Sequence, residues 1–225
     1  MIISVCIPCM NRTYDLKETM PYIIKAANYS PPVEIVVLDY NSQDDLAEYI
    51  KSVRKVTELS YFKYIGRDYY HMAHARNLTI LSSKGEWIVN FSTDLIPCEQ
   101  YFETIRKIIQ QDNYLWLRHN NQFIGVIAIK RDEFIDAGGY DERFEFYGKE
   151  DKDLIARLER RGSKFTFITS NLKIISTPNT EKTKNYRLKL SRWRMGKISK
   201  SIYEDNISNN VLVANLGKEW GQWQI

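Results

Sequence analysis

The clearest sign of chemistry in the sequence is a pair of adjacent carboxylic acids, Glu150 and Asp151, directly after a loop rich in glycine and aromatic residues. Asp151 has helical spacing to Leu154 and Ile155, which predicts a helix over residues 149–161 with this acid in its first turn and on its buried stripe. An acid in the first turn gains from the helix dipole, and simple capping is the alternative to a catalytic role.

The loop before the two acids favours the catalytic alternative, because a helix cap requires no such loop. Glycine permits backbone shapes that other residues resist, and aromatic side chains can line a pocket for a ring-shaped ligand. The loop residues concerned are Gly138, Gly139, Tyr140, Phe144, Phe146, Tyr147 and Gly148. The opposite face of the helix is predicted to be exposed and carries Lys152, Arg157, Arg160 and Arg161.

A mostly parallel sheet is predicted to position these acids. Short apolar runs rich in β-branched residues alternate with helical patterns, and such β-α units produce parallel strands. The predicted strands are residues 2–7, 34–39, 60–65, 86–91, 114–118, 124–130 and 165–169, with Pro8 ending the first of them. The predicted helices lie near residues 15–27, 46–56, 71–83, 98–111 and 132–137. The fold class is therefore α/β.

In an open parallel α/β sheet, ligands bind at the carboxyl ends of the strands, and this rule selects a second set of residues. The strand-end set is Pro8, Asn11, Arg12, Asp39, Ser42, Ser92, Thr93 and Asp94. Asp39 could accept hydrogen bonds from a base or ribose, with helix capping as the alternative. Arg76, early in the third helix, could bind a diphosphate, with plain surface exposure as the alternative. Asp94 is a candidate ligand for a divalent cation, and a single Asp indicates little by itself.

The composition is that of a globular protein from a reducing compartment. With 225 residues, 44% of them hydrophobic and 27% charged, the chain can bury a full core. It has no apolar run long enough to cross a bilayer and no signal-peptide pattern, so we expect a cytoplasmic protein. Three cysteines are too few for a disulfide framework, and Cys6 of the Cys6-x-x-Cys9 pair continues an apolar strand. The pair His71-x-x-His74 has no third metal ligand nearby.

Basic residues are concentrated in the last fifth of the chain. The formal net charge is only +4, yet one segment contains Lys182, Lys184, Arg187, Lys189, Arg192, Arg194, Lys197 and Lys200. Tyr186, Trp193 and Tyr203 lie among these cations, which raises the alternative of nucleic-acid binding. Contact between the tail and an anionic membrane is the better motivated role.

The sequence becomes polar and then strongly basic after Pro178, and this change in composition predicts a domain boundary. We predict a core domain over residues 1–180, with a nucleotide-sugar half at 1–98 and an acceptor half at 99–180. A basic helical extension is predicted over residues 181–225, with its helix at 186–201.

The order of the motifs resembles family 2 glycosyltransferases with the GT-A (nucleotide-diphospho-sugar transferase) fold. The matching stretches of the nucleotide-sugar half are residues 3–12 (ISVCIPCMNR), 34–44 (EIVVLDYNSQD), 75–77 (ARN) and 85–89 (GEWIV). A galactosyltransferase-type C-terminal segment is similar to residues 125–129 (GVIAI), Phe134, 138–144 (GGYDERF) and 148–151 (GKED). The resemblance covers about residues 1–170, and several motifs in order are more specific than any one. It implies a Rossmann-like, mostly parallel sheet flanked by helices, with a C-terminal helical extension.

The resemblance also implies roles for the motif residues. Pro8 and Asn11 would lie beside the nucleotide and Asp39 on its base. Arg76 would lie near the ribose or diphosphate, and the remaining donor-site residues would be Arg12, Ser42, Thr93 and Asp94. Asp151 matches the catalytic base of the family, with Glu150 beside it orienting the hydroxyls of the acceptor or donor.

Two departures from the family pattern concern the metal. Ser92 stands where the D-x-D motif has its first Asp, and no His follows His119, although relatives often supply a metal-binding His there. We therefore expect a divalent cation, Mn²⁺ or Mg²⁺, held by Asp94, waters and the diphosphate. The alternative is that basic side chains such as Lys182 take over part of its work.

The reaction implied is transfer of a sugar from a nucleoside diphosphate, with UDP the expected nucleotide, to an acceptor hydroxyl. Inversion would follow from direct displacement with Asp151 as general base. The expected partners are a nucleotide-sugar donor and a carbohydrate or lipid-linked acceptor, in surface polysaccharide or glycoconjugate synthesis, with the tail in peripheral contact with the inner face of the membrane. The alternatives are an inactive nucleotide-sugar-binding scaffold and a nucleic-acid-binding protein, and nucleic acid is not an expected partner.

Overall fold

The computed structural model describes residues 1–119, 123, 125–176, 178, 181, 184–186 and 190–223. Three sequence predictions fall partly outside these residues: the role of Lys182, the start of a strand at Ile124, and residues 187–189 of the basic helix. Among the described residues, no helix is both long enough and apolar enough to span a bilayer.

Strands and helices alternate through the first half of the chain, as the sequence predicts. The strands are β1 (Ile3–Cys9), β2 (Val33–Tyr40), β3 (Ser60–Tyr64), β4 (Trp87–Asn90), β5 (Leu95–Pro97), β6 (Trp116–Arg118), β7 (Ile127–Lys130), β8 (Phe165–Phe167) and β9 (Leu172–Ile174). The helices are α1 (Thr13–Tyr29), α2 (Leu46–Val53), α3 (Met72–Leu81), α4 (Tyr101–Gln111), α5 (Arg131–Asp136), α6 (Glu150–Arg160) and α7 (Arg192–Ser208).

The central sheet has the strand order β3-β2-β1-β4-β7-β6-β8. β1 pairs in parallel with β2 and β4, and β2 pairs in parallel with β3. β7 runs antiparallel to its neighbours β4 and β6, and β8 is parallel to β6. The predicted α/β class with a mostly parallel central sheet is confirmed.

Helices cover both faces of this sheet, so two apolar layers form. Val5 and Ile7 of β1 point into the layer that contains Leu16 of α1 and residues of α2 and α4. Cys6, between them, points into the opposite layer with Phe134 of α5 and residues of α3 and α6. Burial on both faces explains why these strands read as continuous apolar runs rather than as alternating patterns.

Pro8 does not end β1, contrary to the sequence prediction. It pairs in register with Leu38 of β2, and the strand ends only at Cys9. The Cys6 carbonyl accepts a hydrogen bond from the Phe91 backbone N–H at 2.9 Å, and Pro8, two residues further on, faces the same side. β4 has ended at that level, so no strand lies there to accept a hydrogen bond from residue 8. The sheet therefore loses no hydrogen bond through the missing N–H of proline.

A second, two-stranded antiparallel sheet of β5 and β9 is an element that the sequence did not predict. Each strand is three residues long, which is too short to show a period. The Ile175 backbone N–H, directly after β9, donates to the Asp94 carbonyl at 2.8 Å. The small sheet therefore fixes the loop that carries Asp94.

The helix in the basic tail begins later than predicted. α7 starts at Arg192, whereas the predicted helix began at Tyr186. Tyr186 is instead buried in a cluster with Met195, and its ring lies 5.9 Å from that of Tyr70. The Asn185 carbonyl accepts a hydrogen bond from the Tyr70 backbone N–H at 2.6 Å. Tertiary contacts thus hold residues 185–186 outside the helix, and the predicted boundary near residue 180 stays a prediction.

Residues beyond α7 return to the loop between α5 and α6. The Asn215 side chain donates to the Gly138 carbonyl at 2.8 Å, and the Gly221 backbone N–H donates to the Glu142 carboxylate at 2.8 Å. Gly138 has φ +73°, and a Cβ there would lie 2.1 Å from the carbonyl oxygen of Ala214. Both the positive φ and the close contact with Ala214 therefore favour glycine at this position, as the sequence predicts.

Candidate active site

A pocket of about 360 Å³ opens where the loops after β1 and β4 face the N-terminus of α6. Seven of the ten predicted site residues line it: Pro8, Arg12, Arg76, Thr93, Asp94, Glu150 and Asp151. Two guanidinium groups and three carboxyl groups therefore share one cavity. The rule that ligands bind at the carboxyl ends of parallel strands selects the same edge of the sheet.

A sharp change of backbone direction places the two acids at the pocket. Gly148 and Lys149 have positive φ values of +99° and +76°, and α6 begins at the next residue, Glu150. A positive φ is uncommon for lysine, so the surrounding structure must maintain it. One such contact is with α7, where the Lys149 ammonium lies 5.5 Å from the ring centroid of Tyr203.

Glu150 is a buried acid with a raised pKa. Its side chain is 4% exposed, and its Oε1 accepts a hydrogen bond from Arg76 Nη1 at 2.8 Å. Burial raises the pKa of Glu150 to about 7, with Asp151 adding to the shift and Arg76 opposing it. Oε2 has no hydrogen-bond partner within the described part of the chain. This carboxyl group can therefore exchange a proton near neutral pH and can bind a ligand hydroxyl through Oε2.

The Arg76 guanidinium is fixed between this acid and an aromatic ring. Its central carbon lies 5.1 Å from the ring centroid of Tyr140, which is a cation–π distance. Burial disfavours the charge on Arg76, but Glu150 and the neighbouring groups Tyr140 and Asp151 favour it, and the net effect raises the pKa of the guanidinium. Arg76 therefore presents a permanent, oriented positive charge to the pocket.

Asp151 is half-buried, and space is kept beside its carboxylate. Oδ1 accepts a hydrogen bond from the Lys152 backbone N–H at 2.7 Å. A Cβ on Gly125 would lie 3.3 Å from Oδ2 of Asp151 and 3.8 Å from Nη2 of Arg76. The Asn90 side chain donates to the Gly125 carbonyl at 2.9 Å and so fixes the backbone at this point. Glycine at position 125 leaves room for a ligand atom next to the carboxylate.

Arg12 connects two carboxylates at the strand-end side of the pocket. Its guanidinium forms an ion pair with Asp15, in the first turn of α1, and its Nη2 lies 3.4 Å from Oδ2 of Asp94. Burial opposes the charge on Arg12, but these two acids outweigh it and raise the pKa of the guanidinium. The Asp94 carboxylate is thus oriented by a cation of the protein itself.

The other three predicted donor-site residues form a hydrogen-bonded cluster at the ends of β1 and β2. Buried Asp39 accepts from the Ser42 backbone N–H at 2.6 Å and from the Tyr61 hydroxyl at 2.7 Å. The Ser42 hydroxyl accepts from the Asn11 backbone N–H at 3.1 Å. The Asn11 side chain donates at 3.0 Å to Asn185, which lines the pocket. The cluster therefore borders the pocket without lining it.

Comparison with protein-family models assigns the chain. A model described as glycosyltransferase like family 2 matches residues 4–124, which is more than half of the chain. The chain belongs to this glycosyltransferase family. A second model, described as the N-terminal domain of galactosyltransferase, matches residues 108–199 and includes both acids of α6. Both halves of the expected resemblance are confirmed, and no curated protein matches the chain.

Solved structures similar to this family 2-like glycosyltransferase share its fold at low identity. S. aureus TarS 1-349 in complex with UDP has a TM-score of 0.63 at 12% identity, covering 92% of this chain and 72% of that one. A mannosyltransferase from Pyrobaculum calidifontis in complex with GDP-Man and Mn²⁺ has 0.63 at 17%, covering 73% and 54%. A mutant of Drosophila beta1,4galactosyltransferase 7 with manganese, UDP-Gal and xylobiose has 0.58 at 13%, covering 86% and 78%. The GT-A fold is confirmed.

The side chains of this glycosyltransferase do not fit a resident metal ion. In the described part of the chain, no group of three or more His, Cys, Asp or Glu side chains is arranged so that it could hold a metal ion. Asp94 is engaged by Arg12, and Ser92 offers a hydroxyl where the D-x-D motif has its first carboxylate. Two of the similar structures contain manganese, so the predicted cation has support from the fold but no matching ligand set among these residues.

The aromatic residues of the opening loop divide between core and pocket. Tyr140 and Phe144, expected to line a ligand pocket, are fully buried in the apolar layer under α5 and α6. Tyr147 alone of the four predicted aromatic residues lines the pocket. The sequence missed Asn185 and Tyr186, which complete the lining from the tail. The local sequence does not place either residue at this pocket, because their position depends on long-range contacts.

Arg157 is buried, whereas the helical pattern placed it on the exposed face. Its Nε donates to Asp153 at 2.8 Å, and its other nitrogens donate to the Ala137 carbonyl at 2.5 Å and the Gly139 carbonyl at 2.7 Å. Asp153 also accepts from Asn206 of α7 at 2.7 Å. A fully hydrogen-bonded ion pair therefore joins α6 to the glycine loop and to α7.

The surroundings of His71, His74 and Cys6 are those of residues that stabilise the fold. His71 caps α3 by accepting from the His74 backbone N–H at 3.3 Å, and burial lowers the pKa of His71 to about 3. The His74 ring contacts the Tyr40 hydroxyl at 2.8 Å and the Gln222 carbonyl at 3.1 Å. Burial raises the pKa of the Cys6 thiol to about 12, which removes the thiolate that redox chemistry requires.

Proposed function

We propose that the chain transfers a sugar from a UDP-linked donor to an acceptor hydroxyl with inversion at the anomeric carbon, and that Asp151 is the general base. The observation that carries this proposal is the single pocket in which the acids of α6 face the guanidinium groups of Arg12 and Arg76. The pocket thus offers both proton acceptors and positive charge for a departing diphosphate.

The nucleotides in similar structures support UDP as the donor nucleotide. S. aureus TarS binds UDP and UDP-GlcNAc, and Drosophila beta1,4galactosyltransferase 7 binds UDP-Gal. The mannosyltransferase from Pyrobaculum calidifontis, in contrast, binds GDP-Man.

Asp151 is proposed as the base because it is an accessible carboxylate with free space beside it. The acceptor oxygen attacks the anomeric carbon as its proton passes to Asp151. The new bond joins that oxygen to the anomeric carbon, while the bond from the carbon to the diphosphate breaks and its electron pair leaves with the diphosphate. Holding both reactants in one pocket supplies the orientation that the displacement requires.

Glu150 is proposed to position a hydroxyl of the donor or acceptor. Oε1 is held by Arg76, whereas buried Oε2 lies at the pocket without a described hydrogen-bond partner. An unsatisfied buried oxygen is costly, so a ligand hydroxyl that binds it gains affinity and a defined orientation.

The charge that develops on the diphosphate is proposed to be met by Arg12 and Arg76. Preorganised cations stabilise such charge without reorganisation during the reaction. Ion pairing raises the pKa of both guanidinium groups, so both keep their charge at any working pH.

The test is the Asp151→Asn variant, assayed with a panel of UDP- and GDP-sugars. We expect donor affinity close to that of the wild type and kcat lowered roughly 10²-fold or more, because only the base is lost. Asp132→Asn, at an exposed position of α5, is the matched control and should leave kcat unchanged. The anomeric configuration of the product, read by NMR, should be opposite to that of the donor.

Three outcomes would contradict the proposal. Near-normal kcat in Asp151→Asn removes this residue from the mechanism, and a product that retains the donor configuration removes direct displacement. Donor binding by the wild type without transfer or slow hydrolysis across the panel establishes the binding-only alternative instead.

A further inference from the structure

The outward face of the first half of α7 combines an exposed tryptophan with a cluster of cations. Trp193 is 66% exposed and Ile198 is 40% exposed. Arg194, Lys197 and Lys200 are exposed on the same stretch of helix. Between residues 182 and 203 the sequence contains no Asp or Glu. We name Trp193, Arg194, Lys197, Ile198 and Lys200 the basic face.

The opposite side of α7 is the side that packs on the protein. Met195, Ser199 and Asn206 are fully buried, and their spacing of four and seven residues defines an inward stripe. The basic face therefore points away from the core. Within it, the Lys197 ammonium lies 4.0 Å from the ring centroid of Trp193, so the aromatic ring and the cation occupy one surface patch.

α7, the helix that carries the basic face, contacts the lining of the pocket. The Arg192 guanidinium donates to the Tyr147 hydroxyl at 2.7 Å and lies 4.5 Å from the centre of its ring. The Ser199 hydroxyl donates to the Tyr147 carbonyl at 3.4 Å. Tyr147 itself lines the pocket. The helix that would meet a surface through its basic face therefore also contacts a residue of the pocket lining.

We infer that the basic face of α7 rests on an anionic membrane surface and holds the pocket next to an acceptor carried by that membrane. Lysine and arginine bind the anionic headgroups of lipids, and tryptophan favours the boundary between headgroups and acyl chains. The membrane contact follows from the basic face alone. The acceptor class, a hydroxyl on a lipid-linked molecule, rests on the proposed glycosyl transfer.

The observations favour a membrane over a nucleic acid. Binding of single strands uses several aromatic side chains as stacking platforms within a cationic groove. Of the three aromatic residues that suggested this role, Tyr186 is buried, and Tyr203 is half-buried beneath Lys149. Trp193 alone of these three is exposed, and it lies on a convex helix. A second copy of the chain is disfavoured because two basic faces repel each other.

Co-sedimentation with lipid vesicles tests the inference. Wild-type protein should bind vesicles that contain on the order of one third anionic phosphatidylglycerol, bind phosphatidylcholine vesicles far more weakly, and be released by high salt. The variant carrying both Arg194→Glu and Lys197→Glu should partition at least about 25-fold more weakly, since each basic residue at such a surface contributes a factor of about five.

The matched control reverses the same number of charges elsewhere. Lys51→Glu together with Lys55→Glu changes exposed residues in and just after α2, which packs on the other face of the sheet. This control should bind vesicles like the wild type. Asp151→Asn should also bind like the wild type, so a failure of the catalytic proposal is distinguishable from a failure of membrane contact.

Fluorescence quenching by brominated lipids locates the contact independently of net charge. Anionic vesicles with brominated acyl chains should quench wild-type emission, and Trp193→Phe should lose most of that quenching. The inference is overturned by equal binding to neutral vesicles, by full binding of the Arg194/Lys197 variant, or by quenching that persists in Trp193→Phe. It is also overturned if an unrelated oligonucleotide displaces the vesicles at equal phosphate concentration.

Discussion

Glu150→Gln is expected to change how the stability of the protein depends on pH. Burial raises the pKa of Glu150 from 4.5 to about 7, so the folded protein binds this proton more tightly than the unfolded chain does. The stabilisation is fully present below pH 4.5 and is lost as pH rises through 7. At about 1.4 kcal/mol per pKa unit, the shift corresponds to roughly 3 kcal/mol of unfolding free energy.

The assay is urea unfolding of wild type and Glu150→Gln across this pH range. Glutamine keeps the shape of the side chain and can still accept a hydrogen bond from Arg76, but it does not titrate. We expect the variant to gain stability relative to the wild type by roughly 3 kcal/mol between acidic and mildly alkaline pH. Carboxyl groups that do not interact with Glu150 cancel in this difference, and Glu159→Gln, exposed on the same helix, controls for the loss of one carboxyl group.

The sign of the result decides between two physical effects at this site. A wild type that gains stability relative to the variant as pH rises means that pairing with Arg76 outweighs the cost of burial. A difference that does not vary with pH means that the environment of Glu150 does not perturb its titration. Either outcome refutes the reasoning that makes Glu150 a proton-exchanging group at neutral pH.

Three further expectations concern metal, packing and backbone. Because no group of metal-ligating side chains includes Asp94 in the described part of the chain, turnover should persist in excess chelator, and complete loss with saturable recovery in Mn²⁺ would contradict this. Arg157→Met leaves the buried Asp153 carboxylate without its ion-pair partner and should lower the free energy of unfolding by about 3–5 kcal/mol. An unchanged midpoint of urea unfolding would contradict this expectation. Gly138→Ala places a Cβ 2.1 Å from the Ala214 carbonyl oxygen at a positive φ, so thermal melting should show a loss of more than about 1 kcal/mol.

The first half of the fold was predictable because its signals are local. Continuous apolar runs and intervening helical patterns specify β1 to β4 within a few residues. Pro8 misled the prediction because a missing N–H matters only if a neighbouring strand is present to receive it, and β4 has ended at that level. The strands β5 and β9 were not predicted because three residues are too few to show an alternating pattern.

The site was predictable as a set of residues but not as a set of contacts. The sequence singled out Arg76 for its place early in the third helix and Glu150 for its place beside Asp151, yet 74 positions separate the two members of this ion pair. Arg157 was assigned to solvent because a hydropathy pattern treats each charge alone. Its burial depends on one carboxylate four residues earlier and on two carbonyl groups of the glycine loop, which only the folded chain assembles.

The bonds between the segment after α7 and the loop before α6 have a consequence for the order of synthesis. Glu142 accepts from Asn77, an early partner, but its second donor is Gly221, which a ribosome adds 79 residues later. The Gly138 carbonyl accepts a hydrogen bond from Asn215, which is added 77 residues later. A nascent chain that has already completed β1 to β4 therefore still lacks the contacts that hold the loop leading to the acids. We expect this glycosyltransferase to acquire its donor-side architecture during translation and the wall that carries Glu150 and Asp151 only after release of residues 215–221.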